Sequence, residues 1–376
     1  MRRIPALIVG GGPAGAATAL LLARAGAPHL LIERNRVTGD ALCGGFLSWR
    51  TLATLDRLGI DADALNQDQV TRVRLFTRTQ MAESALPRPA QGVSRHRLDT
   101  VMLAAAERAG AAIETGVAAR SVEGQGIRLS DGTDIDATAL FLATGKYDLR
   151  GLARPAEARG ADPSLGIRVR LGPAPGLAKL VGDAIELHMI DRGYAGIVLQ
   201  EDGSANLCMA VHRSRLAEAG DPEKLLTAIA AEVPALGDRL AYRHSDAPVD
   251  AIANVPYGWR IRHGQPGLFR LGDQAGVIPS LAGEGMGIAI ASGVRAAQAY
   301  LDNGPNGAPD YQHRLARALW RPIGVAGTIR RAAESPGIAP FLLGIAGFAP
   351  PLMEVAARLT RINHSPIDAG RFAGKS

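Results

Sequence analysis

Apolar and polar positions divide the chain into three parts with different periods. In the first part, residues 6–9 predict a buried strand, residues 13–25 an alanine-rich helix and residues 29–32 a second strand. In the second part, from about 163 to 212, apolar and polar residues alternate as in an antiparallel sheet with one solvated face. After about residue 305 the pattern becomes helical and apolar. This order predicts an α/β domain, an antiparallel sheet and a helical C-terminal region.

Four strands are predicted in the middle part of the chain. They are Leu165–Leu171, Leu177–Ile190, Gly193–Leu199 and Ala205–His212. The turn at residues 201–204 is typical of a hairpin, and a helix from Pro222 to Glu232 is expected to close the sheet. Because side chains alternate along a strand, only one face of this sheet can look at a ligand.

The turn between the first strand and the first helix is rich in glycine. It consists of Gly10, Gly11, Gly12, Pro13, Ala14 and Gly15. Gly10 permits the tight turn, Gly12 lets the backbone approach a pyrophosphate, and Gly15 lets helix and strand pack closely. The second strand ends in Glu33, 18 residues after Gly15, where a carboxylate can accept hydrogen bonds from an adenosine ribose. These elements predict a dinucleotide site at the N-terminus of the helix.

A second glycine-rich segment follows far down the chain. It contains Gly272, Asp273, Pro279, Gly283, Gly285, Met286 and Gly287. Residues 269–273 predict a strand that ends in Gly-Asp, whose carboxylate can bind the hydroxyls of a ribityl chain. The glycines lead into a predicted helix at 288–301, whose N-terminus would stabilise negative charge on a reduced flavin. A nicotinamide dehydrogenase needs no such second element, so the two motifs together predict FAD and a redox enzyme.

The two motifs and their surroundings resemble the p-hydroxybenzoate hydroxylase-type flavoproteins, a superfamily that includes aromatic hydroxylases, flavin halogenases and geranylgeranyl reductases. The resemblance is carried by residues 4–34, 40–48, 94–110 and 268–298. It implies an α/β fold: an FAD-binding Rossmann-like domain with an inserted antiparallel β-sheet substrate domain and a helical C-terminal region. It further implies that Arg97 opens a helix and reaches the FAD, and that Arg34, Cys43 and Gly44 also bind the cofactor.

The resemblance divides the chain into interleaved segments. Three parts form the FAD-binding domain, two form the substrate domain and one forms a C-terminal cap. The FAD-binding parts are predicted at 1–75, 92–155 and 251–304, the substrate segments at 76–91 and 156–250, and the cap at 305–376.

Two reactions are compatible with the resemblance. In a monooxygenase, NAD(P)H or a partner flavin reductase reduces the flavin, and oxygen then hydroxylates an aromatic or polyketide-like molecule. In a reductase of the geranylgeranyl type, the reduced flavin saturates a carbon–carbon double bond of a prenyl or other apolar chain. Cys43-Gly44-Gly45 favours the reductase, whereas Gly193–Leu199 lacks the Trp and Phe-Pro of the reductase pocket. We expect a monooxygenase, with the reductase as the alternative. A halogenase or a non-catalytic flavoprotein has less support.

Catalytic candidates come from the loop after the second strand and from the predicted sheet. They are Cys43, His188, Tyr194 and His212. A histidine or tyrosine can orient or deprotonate a phenol. The chain has no second nicotinamide-type glycine motif, so NAD(P)H is expected to bind transiently. No group of His, Cys and carboxylates has metal-ligand spacing, so no metal is expected.

Charge and cysteine content exclude some partners. The formal net charge is +6, but the arginines that dominate it are scattered, so the pattern does not predict nucleic-acid binding. Two cysteines are too few for a disulfide framework, which favours a reducing cytoplasm. Residues 337–351 form the most apolar stretch, interrupted by prolines. This stretch is interpreted as a buried cap, a dimer face or a peripheral membrane contact, in a monomer or a dimer.

Overall fold

The computed structural model describes residues 2–124, 126–335, 337–348 and 350–363 of the chain. Fifteen strands form within these residues: β1 (Arg2–Val9), β2 (Leu30–Glu33), β3 (Phe46–Leu47), β4 (Val70–Phe76), β5 (Met81–Gly92), β6 (Ala112–Thr115), β7 (Ala119–Glu123), β8 (Gly126–Leu129), β9 (Asp134–Leu142), β10 (Ser164–Leu171), β11 (Ala184–Ile190), β12 (Gly193–Leu199), β13 (Ala205–His212), β14 (Asp250–Val255) and β15 (Leu268–Arg270).

Eleven α-helices connect or cover these strands in the described residues. They are α1 (Pro13–Arg24), α2 (Trp49–Arg57), α3 (Arg95–Arg108), α4 (Pro175–Val181), α5 (Arg213–Ala219), α6 (Pro222–Glu232), α7 (Pro234–Leu240), α8 (Gly285–Asn303), α9 (Ala308–Ala333), α10 (Ala339–Phe348) and α11 (Pro350–Leu359).

The first sheet contains the five parallel strands of a Rossmann-like domain. Its order is β6-β2-β1-β9, with β15 parallel to β9 and the β7–β8 ribbon attached to β9. Helices α1, α3 and α8 pack together on it, and small residues at their contacts allow this closeness. Helices cover one face of β1 and the β7–β8 ribbon covers the other, which explains the uninterrupted apolar run in β1. The predicted strand–helix–strand start and the α/β fold are confirmed.

The second sheet contains segments from three parts of the chain. Its order is β14-β10-β13-β12-β11-β4-β5-β3. Both β4 and β5 belong to this sheet, so the first substrate segment begins at Val70, earlier than the predicted 76–91. Strand β14 belongs to the sheet as well. The prediction of one strand over Leu177–Ile190 was wrong. Its first part is helix α4, which starts at Pro175, and Gly182 with a φ of 57° ends that helix before β11.

Strand alternation gives the second sheet two different faces. One face packs on α6 and α7 through a core that includes Ile167, Ile197 and Leu225. The other face, which includes Leu187 and Tyr194, looks towards the Rossmann-like domain and the C-terminal helices. Helices α9, α10 and α11 pack against one another and close this side. The described part of the predicted cap, 305–376, is therefore helical; residues 364–376 lie outside the described residues. No helix among the described residues is both long and apolar enough to cross a membrane.

Candidate active site

The carboxyl ends of the parallel strands meet around the glycine turn after β1. Gly10 has a left-handed φ of 108°, and a Cβ there would lie 2.5 Å from the carbonyl oxygen of Ala143. A Cβ on Gly15 would lie 2.0 Å from the carbonyl oxygen of Gly10. The packing of the protein itself therefore requires both glycines. Together they hold the N-terminus of α1 at the edge of the sheet, where phosphates bind in such folds.

Two other glycines face open space, and a third faces only the tip of a flexible side chain. A Cβ on Gly44 or Gly285 would meet no protein atom within 4 Å, and one on Gly12 would meet only the Nη2 tip of Arg95, at 3.1 Å. None of the three has a left-handed φ, and all three line the same cavity. Neither strain nor internal packing accounts for glycine at these positions. A ligand that approaches the backbone closely, as a pyrophosphate or a flat ring does, accounts for all three, so the residues present fit FAD.

Glu33 lies at the end of β2, beside the glycine turn. Its Oε2 accepts a hydrogen bond from the backbone N–H of Gly11 at 2.7 Å, and its Oε1 accepts one from Asn35 at 3.0 Å. A carboxylate can accept about four hydrogen bonds, so both oxygens retain capacity for ribose hydroxyls. The next residue, Arg34, stacks on the ring of Tyr147, with 4.0 Å from its Cζ to the ring centre.

Helix α3 presents a different arginine to the site from the one predicted. Ser94 caps this helix by accepting a hydrogen bond from the N–H of Arg97, but the Arg97 side chain is exposed and lies outside the cavity wall. Arg95 lines the cavity beside Gly12, and its guanidinium is held by Asp99 through bonds of 2.9 and 2.6 Å. The signal that could have identified Arg95 is the Arg–Asp pair at i and i+4 on the buried face of the helix.

The second motif adds a charged pair at the ends of β9 and β15. Asp273 follows β15 in a short 3₁₀ turn, and its Oδ2 lies 3.4 Å from the Nζ of Lys146. Burial is the largest single effect and disfavours the charged lysine, but the attractions of Asp273, Cys43 and Cys208 together outweigh it and raise the pKa of Lys146. Both side chains line the cavity. Sequence reasoning missed Lys146, although it directly follows the predicted Ala-Thr-Gly strand end.

Helix α8 begins beside a buried carboxylate. Glu284 is fully buried at the N-cap of α8, and burial raises its pKa to about 7. Its Oε2 accepts a hydrogen bond from the Ser48 hydroxyl at 3.1 Å and lies 3.3 Å from the Nε of Arg361. Arg361 follows α11, so this pair joins the C-terminal helices to the second glycine motif.

The Cys43 loop is fixed to the second sheet. The Cys43 carbonyl accepts a hydrogen bond from the Nδ2 of Asn206 at 2.8 Å, and Asp40 of the same loop pairs with Arg168 at 2.7 Å. Cys43 itself is half-buried and lines the cavity. The loop thus runs between the glycine turn and the second sheet.

The structure brings most of the predicted cofactor residues to one wall. Those that line the cavity are Gly12, Pro13, Ala14, Cys43, Gly44, Gly272, Asp273, Gly283, Gly285 and Met286. Those that lie beside this wall are Gly10, Gly15, Glu33, Pro279 and Gly287. Gly287 packs towards α2, because a Cβ there would lie 2.6 Å from the Thr51 hydroxyl.

The cavity continues from this wall into an apolar arm. Its volume is about 520 Å³, and most of its surface is hydrocarbon. The arm runs between the second sheet and the C-terminal helices, and its apolar walls include Leu75, Leu86, Ile185, Leu187, Met189, Leu281, Leu343 and Met353. A site of this size and lining suits a hydrophobic molecule held next to FAD.

A few polar groups lie where the two parts of the cavity meet. The Ser280 hydroxyl, in the second motif, lies 2.5 Å from the Tyr194 hydroxyl and 2.9 Å from that of Tyr257. Tyr194 also accepts a hydrogen bond from the N–H of Leu281 at 2.9 Å. Burial raises the pKa of Tyr257 to about 12 and that of the Cys208 thiol to about 12, and it raises the pKa of Tyr194 well above its ordinary value. These groups therefore stay protonated at neutral pH.

The two histidine candidates lie away from the cavity. His188 belongs to the opposite face of β11, where it stacks on Phe76 and its Nε2 lies 3.2 Å from Glu186. Burial lowers its pKa. His212, at the end of β13, lies between Asp162 and Glu334, at 3.2 and 3.1 Å. Of the predicted catalytic candidates, the structure thus brings only Cys43 and Tyr194 to the cavity.

Comparisons with known proteins agree with this geometry. The family described as "FAD binding domain" matches residues 3–148. The menaquinone reductase of Mycobacterium tuberculosis (strain H37Rv) is 31% identical over 150 residues, which are 37% of this chain and 37% of that protein. The match therefore spans well under half the length of this curated relative.

Solved structures match almost the whole chain. A geranylgeranyl bacteriochlorophyll reductase-like protein from Thermoplasma acidophilum is 18% identical, with a TM-score of 0.68 over 96% of this chain and 100% of that one. The probable FAD-dependent monooxygenase PqsL from Pseudomonas aeruginosa is 16% identical, with a TM-score of 0.69 over 91% and 100%. Identities this low show the fold alone. Residues 3–148 thus match an FAD-binding domain, and the chain has the fold of these solved structures, so the predicted resemblance is confirmed at the level of the fold.

Proposed function

We propose that this protein is an FAD-dependent oxidoreductase that reduces a carbon–carbon double bond in an apolar, chain-like substrate. Gly12, Arg95 and Glu33 would hold the adenosine and pyrophosphate part of FAD, and Asp273 with Gly285 the part that carries the ring. When bound there, reduced FAD supplies a hydride. The apolar arm supports this proposal because it would hold a hydrocarbon chain and keep water from the reacting carbon.

The Tyr257 hydroxyl in the cavity wall, beside the Ser280 hydroxyl, is the observation that carries the proposal. Hydride addition to a double bond must be followed by a proton on the neighbouring carbon, so the site needs an acid. Tyr257 and Cys208 both have a pKa near 12 and stay protonated in the cavity wall. Tyr257 Oη is the donor we assign, because the Ser280 hydroxyl beside it, at 2.9 Å, can orient its proton.

The hydroxylase expected from the sequence stays a second candidate. The cluster of Tyr194, Ser280 and Tyr257 hydroxyls could also hold the polar group of an aromatic ring. Activation of a phenol, however, is helped by a base, and the two histidines proposed for that role lie outside the cavity wall. In either reaction, transiently bound NAD(P)H or a partner flavin reductase would supply electrons.

An experiment without oxygen distinguishes the two reactions. The FAD-loaded protein is reduced with dithionite under argon and mixed with polyprenyl alcohols in one series and with phenols in another. We expect flavin absorbance to return without oxygen in the prenyl series, with a saturated product seen by mass spectrometry. If the flavin reoxidises only in air and the product gains an oxygen atom, the protein is a hydroxylase and the proposal is wrong.

A further inference from the structure

The sequence of helix α10 is apolar around its whole circumference, yet the helix carries an exposed aromatic residue. Its sequence, APFLLGIAGF, contains no side chain with a polar group. Ala339 and Leu343 line the cavity, whereas Phe341 is 70% exposed and the preceding Ile338 is 48% exposed. A helix that is hydrophobic all round is normally buried on every side. Among the described residues, none covers most of the Phe341 side chain.

The helices packed against α10 carry exposed arginines beside exposed apolar residues. On α9, Arg317, Trp320, Arg321 and Arg331 recur at helical spacing along one exposed stripe, and Trp320 is 65% exposed. On α11, Val355 and Arg358 are exposed and lie three residues apart. We call these residues, together with Ile338 and Phe341, the cap face.

Charge on the cap face is mainly positive. Arg317, Arg321 and Arg331 form no ion pair with a carboxylate among the described residues, whereas Arg358 pairs with Glu354. A symmetric dimer through this face would place the same arginines of two copies near one another, and like charges oppose that arrangement. An anionic surface with an apolar interior complements both features of the face.

We propose that the cap face docks on an anionic lipid surface, with Phe341 and Trp320 entering the interface and the arginines contacting headgroups. Amphipathic helices with arginine and exposed aromatic residues bind membranes in this way without crossing them. Because Leu343 of α10 also lines the apolar arm, the lipid phase would be the source of the substrate. This last step rests on the proposed function, but the docking does not.

Vesicle binding tests the docking without any reference to catalysis. The full-length FAD-loaded protein is sedimented with phosphatidylcholine vesicles, or with phosphatidylcholine vesicles that contain phosphatidylglycerol. We expect sedimentation with the anionic vesicles only, and less of it as salt is raised. Protein that stays in the supernatant with both vesicle types would overturn the proposal.

Matched substitutions locate the contact. Phe341→Ser should weaken binding about tenfold, since a buried aromatic side chain is lost from the interface. Arg321→Gln should weaken it about fivefold. The controls are Val37→Ser, at an apolar residue that is 78% exposed elsewhere, and Arg108→Gln, at an exposed arginine of α3. The controls should bind as the unchanged protein does, and FAD absorbance and thermal unfolding should be the same in all variants.

The outcomes separate the docking from the reaction. If Phe341→Ser and Val37→Ser bind anionic vesicles equally well, the cap face is not the surface that contacts the lipid. A stable dimer in sedimentation equilibrium that Phe341→Ser dissociates would show that a second copy covers the face, against the proposal. Vesicle binding together with failure to reduce any prenyl substrate would leave the docking standing and reject the proposed function.

Discussion

The two ends of the cavity are built from different kinds of structure. At the FAD end, backbone at Gly12, Gly44 and Gly285 and charged side chains such as Arg95 form the wall. At the other end, apolar side chains such as Leu187 do so. The wall at the FAD end depends on residue identity, because a Cβ added to a glycine there either fits or clashes with a neighbouring atom. The wall at the apolar end depends on side-chain volume and apolar character, which several residue types provide. Substitutions should therefore be far costlier at the FAD end.

Gly15→Ala tests this difference most severely. Its Cβ would lie 2.0 Å from the carbonyl oxygen of Gly10, so α1 or β1 must move. We expect the loss of bound FAD and a fall of at least ~3 kcal/mol in the free energy of unfolding, since the clash is with rigid backbone. Urea unfolding of the apoprotein and the FAD content after purification measure the two effects.

Gly285→Ala is the matched control at the same end. Its Cβ would meet no protein atom within 4 Å, so the apoprotein should unfold at the same urea concentration as the unchanged protein. FAD affinity should still fall, by about tenfold, because the methyl group occupies space assigned to the ligand. Unchanged FAD affinity in Gly285→Ala would separate this glycine from the cofactor site.

Tyr257→Phe tests the junction between the two ends. Removal of the assigned proton donor should lower turnover about 100-fold while FAD content stays constant, because general acids contribute on that scale. Single-turnover reduction of a prenyl substrate, with product measured after rapid quenching, gives the rate. Tyr194→Phe is the comparison: its hydroxyl is already used by Leu281 and Ser280, so we expect a smaller loss there.

The Glu284–Arg361 pair connects the FAD end to the C-terminal helices, and its effect should depend on pH. Burial raises the pKa of Glu284 from 4.5 to about 7, so the stability linked to its protonated form is present below pH 4.5 and is lost as pH rises to about 7. Arg361→Met leaves the carboxylate without its cationic partner. We expect this variant to lose about 3 kcal/mol at pH 8 and less at pH 5, where Glu284 is protonated.

Arg358→Met is the matched control for that pair. Arg358 also pairs with a glutamate, Glu354, but its side chain is 61% exposed. Its loss should cost less than ~1 kcal/mol at both pH values. A loss of the same size for Arg361→Met at pH 5 and pH 8 would show that Glu284 keeps its charge throughout this range.

The difference between backbone turns at the FAD end and side-chain packing elsewhere also explains which features could be predicted from the sequence. The Rossmann-like start, the second motif and the hairpin strands were predictable, because glycine turns and strand alternation leave periodic signals. Arg95 was missed in favour of Arg97 because both lie in one turn of α3, and only three-dimensional packing decides which side faces the cavity. Lys146 was missed because a lone lysine carries no pattern. Helix α4 was missed because Leu177–Ile190 is apolar enough for either structure.

Two adjacent residues of strand β11 lie on opposite faces of the second sheet. Leu187 faces the cavity, and His188 faces the opposite core, where it bonds to Glu186. His188→Gln should therefore leave turnover within about twofold and lower the free energy of unfolding by ~1–3 kcal/mol, since a buried hydrogen bond is disturbed. Leu187→Ala should instead raise KM several-fold, because a wall contact with the apolar chain is lost. Steady-state kinetics of the two variants settle which face of the sheet holds the substrate. A fall in kcat for His188→Gln alone would mean that the helix-covered face, and not the cavity, acts in the reaction.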